Sequence, residues 1–226
     1  MIKNVLYYLE QSAVNFPDKT AFADESQELS FSETVDRARR VGSSLAQLKY
    51  YRHPIVVRME KGAEAITAFF GCVYSGNCYV PIDTSVPEKR VEQIIKLLQS
   101  EIVITDQKNA GIFEKIEFDG HIFVYEELVN VEVNLTLLED VRSRTIDTDP
   151  LYIIFTSGST GVPKGVTISH RSTIDFIDHF VETFEITDKD VIANQAPFDF
   201  DVSVKDIYTT IKTGATMHIV PKTLFI

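Results

Sequence analysis

The sequence predicts an α/β protein in which mostly parallel sheets are flanked by helices. Short apolar runs alternate along the chain with stretches of helical period, the pattern of strand–helix units. Runs such as 102–105 and 151–155 are apolar at consecutive positions, as strands buried on both faces are. A chain of 226 residues, 44% hydrophobic and 24% charged, is long enough to bury such sheets without disulfide staples.

Helical period covers 4–14 and 31–48. The second stretch opens on Ser30-Phe31-Ser32-Glu33, the spacing of a capping box. A short buried strand at 55–57 precedes a helix over 64–74, and another short strand follows at 79–82. Residues 88–99 place Val91, Ile94, Ile95 and Leu98 on one helical face, the strongest amphipathic period in the chain. Strands are expected at 102–105 and 122–124, with polar, helix-poor sequence between them. The polar stretch 139–150 reads as a subdomain junction. Beyond it come a strand at 151–155, a helix over 171–184, a strand at 191–193, a helix over 204–213 and a strand at 216–220.

With 22 basic and 33 acidic residues the formal net charge is −11. Such a surface repels phosphate backbones and anionic lipid, which argues against nucleic acid and membrane as partners. An anionic ligand must then be held by a local device. Cys72 and Cys78 are too few for an extracellular disulfide framework and read as reduced thiols. No apolar run approaches membrane-spanning length and residues 1–10 lack a signal-peptide core, so a cytoplasmic location is expected. His53, His121, His170, His179 and His218 show no ligand spacing with the cysteines, which predicts no zinc site.

The local device is the segment Thr156-Ser157-Gly158-Ser159-Thr160-Gly161-Val162-Pro163-Lys164-Gly165, directly after a buried strand. Its glycines let the backbone turn tightly and present N–H groups, its hydroxyls add donors, and Lys164 supplies a point charge. These are the parts of a phosphate cradle. The Walker A spacing fails, because Pro163 stands where the second glycine belongs and Gly165 follows Lys164. The dinucleotide fingerprint fails as well. The plain alternative is a polar turn between two strands, for which this density of glycine and hydroxyl is more than a turn needs.

Residues 151–155 with that loop resemble the core phosphate-binding motif of the adenylate-forming enzymes, which include nonribosomal-peptide-synthetase adenylation domains, acyl-CoA synthetases and luciferases. In the family's order, Leu29-Ser30-Phe31-Ser32-Glu33 resembles its first motif. Tyr74-Ser75-Gly76-Asn77-Cys78-Tyr79-Val80-Pro81-Ile82-Asp83 resembles the second, with Pro87 and Arg90 in place beyond it. Phe200-Asp201-Val202-Ser203 resembles the fourth. The Tyr-Val-Pro-Ile-Asp and Phe-Asp-x-Ser forms are similar to the amino-acid-activating branch, including the D-alanine–carrier-protein ligases. The family's later motifs, among them a magnesium-binding glutamate and a catalytic lysine, are not found before Ile226. Residues 1–226 are therefore expected to be the N-terminal part of an AMP-binding adenylation domain.

The resemblance implies ATP-dependent activation of an amino-acid carboxylate as an aminoacyl-adenylate, then transfer to the phosphopantetheine thiol of a carrier protein. It implies Mg2+, with its main ligand beyond Ile226. Thr156, Ser157, Gly158, Ser159, Thr160 and Gly161 would hold the β- and γ-phosphates. Lys164 would add charge at the leaving pyrophosphate; the alternative is a solvated lysine. Asp201 would pair with the substrate's α-ammonium group, the local alternative being a helix cap. Ser203 reads as the N-cap of the following helix, with Asp206 completing a capping pair. Phe200 would wall the acyl pocket. Lys205 replaces a bulky apolar residue, and pointed into the pocket its ammonium would need an anion, which suggests a substrate with a second carboxylate. The bland alternative for Lys205 is snorkelling to water. Two other functions stay open: a fragment of an acyl- or aryl-acid ligase, which would dispense with Asp201, and a non-catalytic fragment serving as a binding or interaction module. The isolated chain is expected to be inactive in the full reaction.

Overall fold

The computed structural model describes residues 2–157 and 163–225. The chain begins with helix α1 (Leu6–Asn15), the hairpin β1 (Thr20–Ala23) and β2 (Glu28–Ser30), and helix α2 (Phe31–Ala46). Three strand–helix units follow: β3 (Pro54–Arg58) with α3 (Ala63–Tyr74), β4 (Cys78–Pro81) with α4 (Glu88–Leu98), and β5 (Ile102–Thr105) with the short α5 (Gly111–Lys115). Strand β6 (His121–Val124) leads through α6 (Tyr125–Leu128) to α7 (Leu135–Arg144). The hairpin β7 (Pro150–Ser157) and β8 (Pro163–Ser169) comes next, then α8 (His170–Phe184), β9 (Val191–Asn194), α9 (Val202–Thr213) and β10 (Thr216–Ile219).

The described strands form two sheets, a four-stranded one in the order β2-β1-β10-β9 and a six-stranded one in the order β6-β5-β3-β4-β7-β8. Neighbours run parallel except in the β1–β2 and β7–β8 hairpins. The larger sheet is covered on both faces. Val56, Cys78, Val80, Val103 and Ile153 pack beneath α4 and α5, while Ile55, Val57, Tyr79, Ile104 and Ile154 face a second, larger core that continues through α2 and α3 to the smaller sheet. Burial of alternate residues on opposite faces is why these strands read as unbroken apolar runs.

Helix α2 starts as its sequence requires: the Ser30 hydroxyl accepts the Glu33 N–H at 3.2 Å and the Glu33 carboxylate accepts the Ser30 N–H at 2.8 Å. The polar stretch 139–150 contains the carboxyl half of α7, a helix whose one buried residue is Leu138. One segment departs from expectation. The helix-poor stretch before β6 holds α5, which seats Ile112 and Phe113 in the core.

Candidate functional site

In the six-stranded sheet, β7 is buried from Leu151 to Ile154 and surfaces at Phe155 and Thr156. It pairs with β8 in a register that sets Thr156 opposite Lys164 and Phe155 opposite Gly165. A side chain at Gly165 would lie 2.9 Å from Ile153 Cγ2 and 3.1 Å from Phe155 Cζ, so glycine there spares those two side chains a shift. The Thr156 hydroxyl donates to the Lys164 carbonyl at 3.5 Å, and both side chains are exposed. Arg90, in the first turn of α4, donates from Nη2 to the Thr156 carbonyl at 3.3 Å and braces the stem of the loop. Gly158, Ser159, Thr160 and Gly161 lie outside the described residues, as does the Ser157 side chain. The stem thus joins two strands, the geometry of the plainer alternative, while holding the loop at the carboxyl end of a strand, where open α/β sheets bind ligands.

The second group sits between β9 and α9. Asn194, fully buried at the end of β9, donates from Nδ2 to Asp206 Oδ2 at 2.9 Å. Asp206 is also paired with Lys205 at 2.5 Å. The segment 195–201 between them is folded over Phe198, which meets Phe69 edge-on at 5.7 Å. Phe69 in turn stacks on Tyr79 at 4.5 Å, and the Tyr79 and Tyr208 hydroxyls are hydrogen-bonded at 3.0 Å. An aromatic spine from α3 through β4 to α9 therefore supports the segment that carries Phe200 and Asp201.

Helix α9 begins at Val202, earlier than its apolar pattern suggests, and Ser203 lies inside it rather than at its cap. The Ser203 hydroxyl donates backwards, to the carbonyls of Phe200 at 2.7 Å and Phe198 at 3.3 Å, and ties down the preceding turn. Asp206 is buried, bonded to Asn194 and to the half-buried Lys205, and completes no capping pair. Asp201 occupies the N-cap position, yet its side chain makes no capping hydrogen bond and is exposed. Its charge reaches Tyr152 of β7: burial pushes that phenol up to about 12, and Asp201 adds to the rise.

Phe200 is 58% exposed and lines, with Pro197, Val202 and Lys205, an open groove of about 480 Å³. Asp201 does not line that groove. The structure therefore brings Phe200 and Lys205 together, leaves Asp201 exposed outside their groove, and carries Thr156 and Lys164 on the other sheet. The anion that the Lys205 ammonium requires is supplied within the chain by Asp206. Among the described residues no group of three or more His, Cys, Asp or Glu side chains could hold a metal ion, and no helix is long and apolar enough to cross a membrane. Cys72 and Cys78 are free and buried, and burial pushes both thiols up.

Two layered α/β sheets with these segments at their carboxyl edges form the N-terminal architecture of adenylate-forming enzymes. The profile of the AMP-binding enzyme family matches residues 9–225, and the chain belongs to that family. Among its relatives, tyrocidine synthase 1 of Brevibacillus parabrevis is 29% identical over 97% of this chain and 20% of its own length. The D-alanine–D-alanyl carrier protein ligase of Staphylococcus aureus (strain JH9) is 31% identical over 98% of this chain and 43% of its own. The fold is shared with the nonribosomal peptide synthetase FmoA3 in its AMPPNP-bound form, with a TM-score of 0.82 at 24% identity, covering 96% of this chain and 23% of that one. The chain spans less than half the length of these relatives.

Proposed function

We propose that this chain is part of a ligase that activates an amino acid with ATP and passes it to a carrier protein. A carboxylate oxygen of the amino acid attacks the α-phosphorus of ATP, the bond to the β-phosphate bridging oxygen breaks, and pyrophosphate leaves. The phosphopantetheine thiol of the carrier then displaces AMP from the acyl carbon. In the first step the enzyme contributes chiefly positioning and charge stabilisation. Thr156, Ser157, Gly158, Ser159, Thr160 and Gly161 hold the β- and γ-phosphates, and Lys164 meets the charge that grows on the leaving pyrophosphate. Mg2+ would shield the phosphates.

The observation that carries the amino-acid assignment is the exposed carboxylate of Asp201. It stands at a helix start without serving as the cap, one residue from the groove wall at Phe200. An ammonium group taken out of water requires such a partner. Phe200 walls the acyl side. Lys205 lines the same groove, where a second substrate carboxylate would compete with Asp206 for it.

Amino-acid-dependent pyrophosphate exchange into ATP tests this, using the full-length gene product with a panel of L- and D-amino acids and this chain alongside. Exchange stimulated by one amino acid is the expected result. An acidic winner whose advantage disappears in Lys205→Ala makes Lys205 a selector, whereas an unchanged preference leaves it the partner of Asp206. Exchange with simple carboxylic acids alone would overturn the amino-acid assignment and move the protein to the acyl-ligase branch.

A further inference from the structure

Lys61 lies in the turn between β3 and α3, on the six-stranded sheet, but its ammonium is spent on the other sheet. Nζ donates to the carbonyls of Asn194 at 3.0 Å, Gln195 at 3.1 Å and Val220 at 3.0 Å. These oxygens lie at the carboxyl ends of β9 and β10, two adjacent parallel strands; the Asn194 carbonyl also accepts the Val220 N–H at 3.0 Å, so the ammonium reinforces the point where the two strands end. The same ammonium sits 5.6 Å from the centre of the Phe198 ring. One cation thus fixes the first residue of the 195–201 segment and touches the aromatic residue at its middle.

The base of Lys61 is itself held from both sheets. The Glu60 N–H donates to Asp106 Oδ2 at 2.9 Å, just beyond β5, and the Ala63 N–H donates to Asp24 Oδ2 at 2.8 Å, in the β1–β2 turn. Burial would raise the Asp24 carboxyl, but hydrogen bonds from Ser26, Ala63 and Gln27 outweigh it and hold the group below the usual range. The turn is a fixed reference point, and the half-buried Lys61 side chain carries that reference across to the segment bearing Phe200 and Asp201.

We propose that Lys61 is a positioning residue for the amino-acid substrate, setting the 195–201 segment so that Asp201 meets the α-ammonium group. It rests on the amino-acid role assigned to Asp201. A neutral side chain leaves three carbonyls without their cation, the segment loosens, and Asp201 moves from its place. Arginine, with several donors on a stem of comparable reach, restores part of the anchor.

The experiment compares wild type, Lys61→Met, Lys61→Arg and Asp201→Asn in the full-length gene product, with amide hydrogen exchange and pyrophosphate-exchange kinetics read in parallel. Lys61→Met is expected to speed exchange at the amides of 195–201 by about tenfold or more while α2 stays protected. It is also expected to raise KM for the amino acid by about tenfold, with KM for ATP nearly unchanged and Lys61→Arg intermediate. Unchanged exchange at 195–201 overturns the anchor. Faster exchange with an unaltered amino-acid KM overturns the positioning role. Equal shifts in both KM values, or unfolding of both Lys61 variants, reduce Lys61 to a structural residue and overturn it too. Failure of the underlying assignment looks different: Asp201→Asn then binds the amino acid as wild type does, whatever Lys61→Met does to hydrogen exchange.

Discussion

At the amino end of α8, His170 is 3% exposed and accepts the Val5 N–H on Nδ1 at 3.3 Å, docking the start of α1. Burial pushes its pKa from the usual 6.5 down to about 4; the charges of Asp149 and Asp147 oppose the fall and Arg142 adds to it. Because the folded value lies below the unfolded one, His170 stays neutral in the native state while the unfolded chain takes up a proton. Stability is therefore complete above pH 6.5 and falls as the pH drops toward 4. The loss approaches about 3 kcal/mol, at roughly 1.4 kcal/mol per pH unit. Urea unfolding at pH 7.0 and 4.5 checks this: the His170→Asn variant, which keeps an acceptor near Nδ1, is expected to lose less stability over that interval than wild type. Nothing in the sequence around His170 signals this role, since its partner Val5 is 165 residues away.

Helices α2 and α3 cross where a glycine permits it. A side chain at Gly71 would meet Val41 Cγ1 at 2.3 Å and Val41 Cβ at 2.5 Å, closer than atoms can approach. Gly71→Ala is expected to destabilise the fold by about 1–3 kcal/mol through overpacking, read as a lowered midpoint in chemical denaturation; an unchanged midpoint would mean the helices separate freely. Elements announced by local chemistry were legible in the sequence: α2 through the Ser30–Glu33 box and α4 through Val91, Ile94 and Ile95. Strand β8 was not, because Pro163, Lys164 and Gly165 look like turn residues and most of the strand is exposed. Only its ladder with β7 makes it a strand, and pairing between segments leaves no local period to read. The start of α9 was misplaced for a related reason: Ser203 has the composition of a cap, while the carbonyls of Phe198 and Phe200 claim its hydroxyl.

Across the whole molecule, the two sheets each deliver one part of the proposed site at a carboxyl edge: the Thr156–Lys164 stem from the larger sheet and the 195–201 segment from the smaller. The motif residues were readable because each group is contiguous in sequence. The brace between the sheets was not, since Lys61 is a lone lysine 134 residues from Gln195. The groove was anticipated only in part: Phe200 and Lys205 line it, but Asp201 does not. The central claim is that Asp201 recognises an α-ammonium group. Its most direct test is pyrophosphate exchange by the full-length gene product with the preferred amino acid and with its des-amino analogue, in wild type and Asp201→Asn. Wild type should favour the amino acid by about fivefold, as a charge pair open to water implies, and by more where the bound substrate covers the pair; Asp201→Asn should erase that preference while KM for ATP holds. Retention of the full preference by Asp201→Asn would contradict the claim.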